Sequence, residues 1–230
     1  MIYTVPNFQN PSGISYSGEN RKAIAEIIKD EKLFLIEDDP YSELRYAGRA
    51  KSSFKQLIPE STIMLGSFSK TLVPGFRLGW IVAPDVIYEK LLIAKQASDL
   101  HTNQFAQDVL VKYLAAGNFD EHVSKIIKVY GRQRNAMIAS IKKHFPGEVE
   151  YTQPDGGMFL WVTLPNNISS MKLFNIAIEK KVAFVPGDPF YVYSNETNTL
   201  RLNFSNVNET TIDEGISRLG IALKDLLSVN

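Results

Sequence analysis

Lys70 closes the run Gly66-Ser67-Phe68-Ser69-Lys70, and Arg77 follows within Pro74-Gly75-Phe76-Arg77-Leu78-Gly79. One short stretch thus holds a primary amine, two hydroxyls and a guanidinium. An amine of this kind can form an imine, which requires a carbonyl partner. Hydroxyls and an arginine fork suit a phosphate. A small molecule that carries both groups is pyridoxal phosphate. Its aldehyde would condense with Lys70, and its phosphate would lie against Ser67, Ser69 and Arg77.

A pyridine ring used as an electron acceptor also needs its nitrogen kept protonated, and an aspartate is the usual partner. The apolar run Leu33-Phe34-Leu35-Ile36 ends in Glu37-Asp38-Asp39-Pro40-Tyr41. A buried strand that delivers carboxylates at its C-terminal end has the geometry of an α/β active site. Alternation along such a strand sends Glu37 and Asp38 to opposite faces. Asp38 and Tyr41 then stand on either side of the Pro40 turn. One can reach the ring nitrogen while the other donates to the ring hydroxyl. The same Asp-Pro step is a turn signal, and both readings can hold at once.

Two further residues carry less information by themselves. Asn10, in Gln9-Asn10-Pro11-Ser12-Gly13, sits in a loop-forming run, and its amide can bond a ring oxygen or a carboxylate. Arg201 alternates with Leu200, Leu202 and Phe204, a pattern that by periodicity favours a solvent-facing strand residue.

The elements that must position these groups follow from hydrophobic period. Residues 20–32 predict an amphipathic helix with Ala23, Ile24, Ile27 and Ile28 on one side. Strands are expected at 33–36, 62–65 and 78–83, and helices at 85–97 and 104–116. Residues 120–144 read as one long helix. Beyond it come strands near 148–151, 158–163, 183–185 and 199–204, with helices at 170–180 and 211–226. Gly156-Gly157 reads as a turn before a strand. The expected domains are 1–119, a linking helix over 120–146, and a smaller domain over 147–230.

With these residues in place, the chain resembles the fold-type I, class I and II pyridoxal-phosphate-dependent aminotransferases. The likeness is greatest to the branch with 2-aminoadipate and kynurenine aminotransferases. The stretches PNFQNPSG, LFLIEDDPYSELRY, GSFSKTLVPGFRLGWIVAP, PDGGMFLWVTLP, FVPGDPF and LRLNFS carry the resemblance, in the family's order and from end to end. It implies an α/β fold: part of a large domain with a mostly parallel sheet, then a smaller α+β domain. It also implies pyridoxal 5'-phosphate as cofactor, amino acid and 2-oxo acid substrates, and a homodimer.

Residue by residue, the resemblance implies that Lys70 holds the cofactor and shuttles the substrate proton. Asp38 pairs with the pyridine nitrogen, and Tyr41 and Asn10 bond the ring hydroxyl. Ser67, Ser69 and Arg77 hold the phosphate. Arg201 clamps the substrate α-carboxylate, assisted by Asn10. Family members are longer and the likeness begins at their middle, so the chain is expected to be a C-terminal fragment, inactive alone. The alternative is the effector-binding domain of a GntR-type transcriptional regulator, where the same fold occurs fused to a DNA-binding module.

Composition fits an enzyme of this kind. Twenty-five basic and twenty-five acidic side chains balance, which gives no electrostatic case for nucleic acid or an anionic membrane. There is no cysteine, which excludes disulfides and thiolate chemistry. His101, His122 and His144 are scattered without ligand spacing, so no metal site is expected. No long apolar run and no signal peptide are visible, and the expected location is the cytoplasm.

Overall fold

A computed structural model describes residues 1–165, 168–192 and 198–229. The chain divides into two compact units. One comprises residues 1–7 and 15–126, the other residues 8–14 and 127–230.

The first unit opens with strand β1 (Ile2–Thr4), helix α1 (Gly18–Asp30) and strand β2 (Leu35–Asp38). A single turn of helix, α2 (Phe54–Leu57), precedes strand β3 (Thr62–Ser67) and strand β4 (Gly79–Val82). Helices α3 (Asp85–Ser98) and α4 (Gln104–Ala115) follow. The sheet runs β1-β2-β3-β4, with the first two pairings parallel and the last antiparallel. Parallel neighbours need a crossover, and α1 and α2 supply the two. The α/β class with a mostly parallel sheet is therefore present, as the sequence implied.

Helix α1 begins where the Ser17 hydroxyl accepts from the Asn20 N–H. It ends where Lys32 turns left-handed at φ 50° and the Leu33 N–H returns to the Ile28 carbonyl. That cap holds residues 31–34 outside the strand. β2 consequently starts at Leu35, later than the expected residue 33, and includes both Glu37 and Asp38. The inward stripe of α1 also differs from expectation. Arg21, Ala25 and Ile28 are buried, whereas Ala23 and Ile27 are exposed. A charged residue occupies the first inward turn because four carbonyl or amide oxygens meet it there.

Ala25 and Ile28 pack with Leu35, Phe54 and Ile58 into the core beneath β2. Glu37 points the same way and is fully buried. Its carboxylate accepts the backbone N–H groups of Phe54 (3.0 Å) and Lys55 (2.9 Å), and so caps α2. Burial raises its pKa above the ordinary carboxylate value, opposed by those two donors. Phe54 is the largest apolar side chain of this cluster, with no exposed surface. Phe54→Ala should lower stability by about 3–5 kcal/mol. A urea titration with an unchanged slope and a shifted midpoint would show it. A shift under about 1 kcal/mol would mean that the site collapses without cost.

Much apolar surface of this unit faces outward. Helix α3 has no buried residue, and Val86, Tyr88, Leu92 and Ile93 are exposed along it. All of β4, an edge strand, is exposed, including Trp80, Ile81 and Val82. An uncovered edge with apolar side chains is a surface built for pairing.

Helix α5 (Phe119–His144) crosses the division between the units. The second unit continues with strands β5 (Glu150–Tyr151) and β6 (Phe159–Thr163), helix α6 (Ser170–Glu179), strands β7 (Val185–Pro186) and β8 (Thr199–Asn203), and helix α7 (Glu209–Val229). Its sheet runs β5-β6-β8-β7, antiparallel throughout. Leu160, Val162, Leu200 and Leu202 are buried on its strands, and Leu173, Ala177, Ile216 and Leu219 on α6 and α7. Asp213 of α7 ties to α5, accepting from the Ser140 hydroxyl at 2.8 Å.

Candidate active site

The end of β3 and the connection to β4 carry four of the candidate residues. The base of this connection is closed by the Phe68 N–H bonding the Leu78 carbonyl (3.1 Å), next to the Ser67–Gly79 pair. Its apolar residues Phe68, Leu72, Phe76 and Leu78 pack with Ala106 and Leu110 of α4. That anchoring leaves Ser69, Lys70 and Arg77 as polar residues of the connection, after Ser67 at the end of β3, while Thr71 is buried. The Ser69 N–H bonds the Ser67 hydroxyl at 3.1 Å, which fixes the first turn after β3. Arg77 adopts the left-handed region at φ 55°. Its guanidinium is exposed and gives one N–H to the Pro74 carbonyl at 3.2 Å. Among the described residues its other N–H groups meet no acceptor, so they can serve an anion.

Asp38 stands at the end of β2, directly beside β3. It pairs with Leu65, and the next N–H, of Asp39, bonds the Leu65 carbonyl at 2.9 Å. The C-terminal ends of two adjacent parallel strands thus present Asp38 and Ser67. This is where open α/β sheets bind their ligands. Asp38 is half-buried and faces away from Glu37. Its Oδ2 accepts the Tyr3 hydroxyl at 2.5 Å.

The turn after Asp38 is held from below. Asp39 is buried, and its Oδ1 accepts the Asn7 amide (3.0 Å) and the Ser42 N–H (3.2 Å). Asn7 in turn accepts from Arg21 at 2.6 Å. Arg21 also donates to the carbonyls of Pro6, Tyr16 and Ser52. This buried chain of bonds clamps residues 39–42. Tyr41 lies within that span and is buried. Nothing in the spacing of Arg21 or Asn7 singled them out, because both belong to stretches that read as helix surface or loop.

Asn10 and Arg201 meet in the second unit, where the Arg201 Nη1 donates to the Asn10 side-chain oxygen at 2.6 Å. The guanidinium lies 4.3 Å from the centre of the Phe159 ring and 5.5 Å from that of Phe190. Leu200 and Leu202 are buried as alternation requires, yet Arg201 is only half-exposed. Two aromatic faces and an amide hold it, contacts that strand period does not reveal. The Asn10 loop is seated on β6. The Thr152 hydroxyl bonds the Ser12 carbonyl at 2.9 Å. A Cβ at Gly13 would lie 2.6 Å from the Phe159 carbonyl oxygen, and its φ is +70°, so only glycine fits there.

Two anion-suited clusters are therefore present, one in each unit. The first is a stretch of chain, from the end of β3 onward, with a primary amine, hydroxyls and a guanidinium, next in the sheet to the strand that ends in Asp38; the second is a stacked guanidinium with an amide. The first donor set fits a phosphorylated aldehyde with a basic ring nitrogen. Among the described residues no group of His, Asp and Glu is arranged to hold a metal ion. No helix in them is long and apolar enough to cross a membrane.

Comparison with known proteins gives the same direction. The family described as aminotransferase class I and II matches residues 2–219. Aromatic-amino-acid aminotransferase 1 of Thermococcus litoralis is 42% identical over 226 residues, which cover 98% of this chain and 54% of that protein. The crystal structure of Pyrococcus horikoshii kynurenine aminotransferase, in complex with PMP, superposes with a TM-score of 0.94. It is 45% identical, over 97% of this chain and 56% of that one. The α-aminoadipate aminotransferase LysN of Thermus thermophilus, complexed with N-(5'-phosphopyridoxyl)-L-leucine, gives a TM-score of 0.94 at 40% identity. That match covers 99% of this chain and 59% of LysN. The chain spans a little over half the length of the relatives it matches.

Proposed function

We propose, because this chain belongs to the aminotransferase class I and II family, that its protein transfers an amino group from an amino acid to a 2-oxo acid with pyridoxal 5'-phosphate. The observation that carries this reading is the β3–β4 connection. Its apolar side anchors on α4, it starts from the end of β3, the strand that pairs with β2 at Asp38, and it carries Ser69, Lys70 and Arg77 after Ser67. When bound, the cofactor supplies an electron sink for the bonds at the substrate Cα.

The chain's own residues divide the remaining work. The Ser67 and Ser69 hydroxyls and the Arg77 guanidinium hold the phosphate. Lys70 Nζ would be the amine that holds the cofactor's aldehyde carbon and the base that moves the proton at the substrate Cα. The Asp38 carboxylate holds a proton at the ring nitrogen. Tyr41 donates to the ring hydroxyl oxygen, and the family likeness implies the same role for the Asn10 amide. Arg201 forks onto the substrate α-carboxylate, and the Phe159 and Phe190 rings keep its plane fixed. The family likeness implies a homodimer, and the exposed apolar faces of α3 and β4 are surface that the rest of the protein or a second copy can cover.

Arg201 offers a direct test. Arg201→Lys keeps the charge but removes the planar two-point contact and the stacked guanidinium. The amino-donor KM should rise about 10- to 100-fold, the size of one charge-assisted hydrogen bond. Cofactor affinity should not change. An unchanged KM would return Arg201 to an ordinary strand residue. Turnover also separates this reading from the alternative, an effector-binding regulator domain: a panel of amino donors gives product with the enzyme, and binding without product with the regulator.

A further inference from the structure

Tyr3 is not part of any motif that the sequence singled out, yet it makes the 2.5 Å hydrogen bond to Asp38. Its position follows from register. β1 pairs parallel with β2, and Tyr3 sits opposite Ile36. Ile36 and Asp38 share one face of β2 by alternation, so Tyr3 and Asp38 are diagonal neighbours on that face. A tyrosine is long enough to span such a diagonal.

We propose that Tyr3 is a positioning residue for the cofactor: its hydroxyl fixes Asp38 Oδ2 so that Oδ1 is aimed at the ring nitrogen. The inference rests on the assignment of Asp38 to that nitrogen. A carboxylate at a strand end turns freely about its last bond unless one oxygen is held. Oδ2 is held by Tyr3, and among the described residues Oδ1 accepts no bond. The carboxylate is therefore oriented on one side and open on the other. Desolvation of the hydroxyl, then the bond to Asp38 and its charge, push the Tyr3 phenol up to about 12. The phenol keeps its proton throughout the working range and always donates, so Asp38 is always the acceptor of this pair.

The test compares two ligands on the same protein. One is pyridoxal 5'-phosphate; the other is its 1-deaza analogue, in which a ring carbon replaces the nitrogen. Tyr3→Phe removes only the hydroxyl of an exposed side chain. The variant should bind pyridoxal 5'-phosphate about 3- to 10-fold more weakly, the range for one hydrogen bond acting through a charge. Its affinity for the deaza analogue should be unchanged. Equal weakening of both ligands would overturn the proposal, since a merely structural role for Tyr3 affects both. No change for either would overturn it as well. If the wild-type protein does not distinguish the two ligands, the assignment of Asp38 to the ring nitrogen fails first, and the proposal falls with it. The wild-type comparison therefore separates failure of the premise from failure of the inference.

Discussion

Lys70→Ala is expected to abolish amino transfer, lowering kcat/KM by about 10⁴-fold or more. Two functions disappear together. The side chain is the covalent attachment point, and it is also the base that moves the Cα proton, a role worth about 10²–10⁴-fold by itself. The fold should survive, because the connection is anchored by Phe68, Leu72, Phe76 and Leu78 rather than by Lys70. Ser67, Ser69 and Arg77 remain, so the variant should still bind pyridoxal 5'-phosphate noncovalently. Rates come from a coupled assay for the 2-oxo acid product, and fold from circular dichroism. A variant that keeps a tenth of the wild-type rate would remove Lys70 from the mechanism.

Asp38→Asn should come next in size, with a fall of about 10²- to 10³-fold in kcat. An amide cannot hold a proton at the ring nitrogen as a carboxylate does, and a low-dielectric site magnifies the loss. The comparison with Asp39→Asn gives the prediction its edge. Asp39 looks into the protein, where its Oδ1 accepts the Asn7 amide and the Ser42 N–H. An asparagine keeps that acceptor oxygen, so the turn should hold and the rate should fall only a few-fold. Equal losses at the two positions would mean that the strand delivers the wrong carboxylate. Glu37 is no third candidate, since both of its oxygens are spent on the N-terminus of α2.

How far the sequence could be read depended on the kind of signal at each place. Long amphipathic helices such as α5, and apolar strands such as β6, announce themselves by period, and their ends moved by only a residue or two. β1 escaped notice because three residues carry no period, and Tyr3 went with it. The start of β2 was misplaced because a left-handed cap at Lys32 is invisible to hydrophobicity. The inward face of α1 was misread because a fully buried arginine breaks the rule that charges face water. Only the oxygens of Pro6, Asn7, Tyr16 and Ser52 make its burial tolerable.

The candidate site divides in the same way. Lys70, its two serines and Arg77 lie in one continuous stretch, so their grouping could be seen directly in the chain. Asn10 and Arg201 are far apart in sequence, and their hydrogen bond depends on the loop of residues 8–14 lying on β6. Neither composition nor spacing contains that information. It came from the likeness of the whole chain to a family, and the flanking rings of Phe159 and Phe190 came from the fold alone.

The central claim is that Lys70 is the residue to which pyridoxal 5'-phosphate attaches. The most direct measurement is to incubate the protein with the cofactor, reduce with borohydride, digest, and map the phosphopyridoxyl group by mass spectrometry. The account predicts one stoichiometric label, on the peptide that contains Ser67-Phe68-Ser69-Lys70, and its loss in Lys70→Ala. A label on any other lysine with the Lys70 peptide unmodified would contradict it.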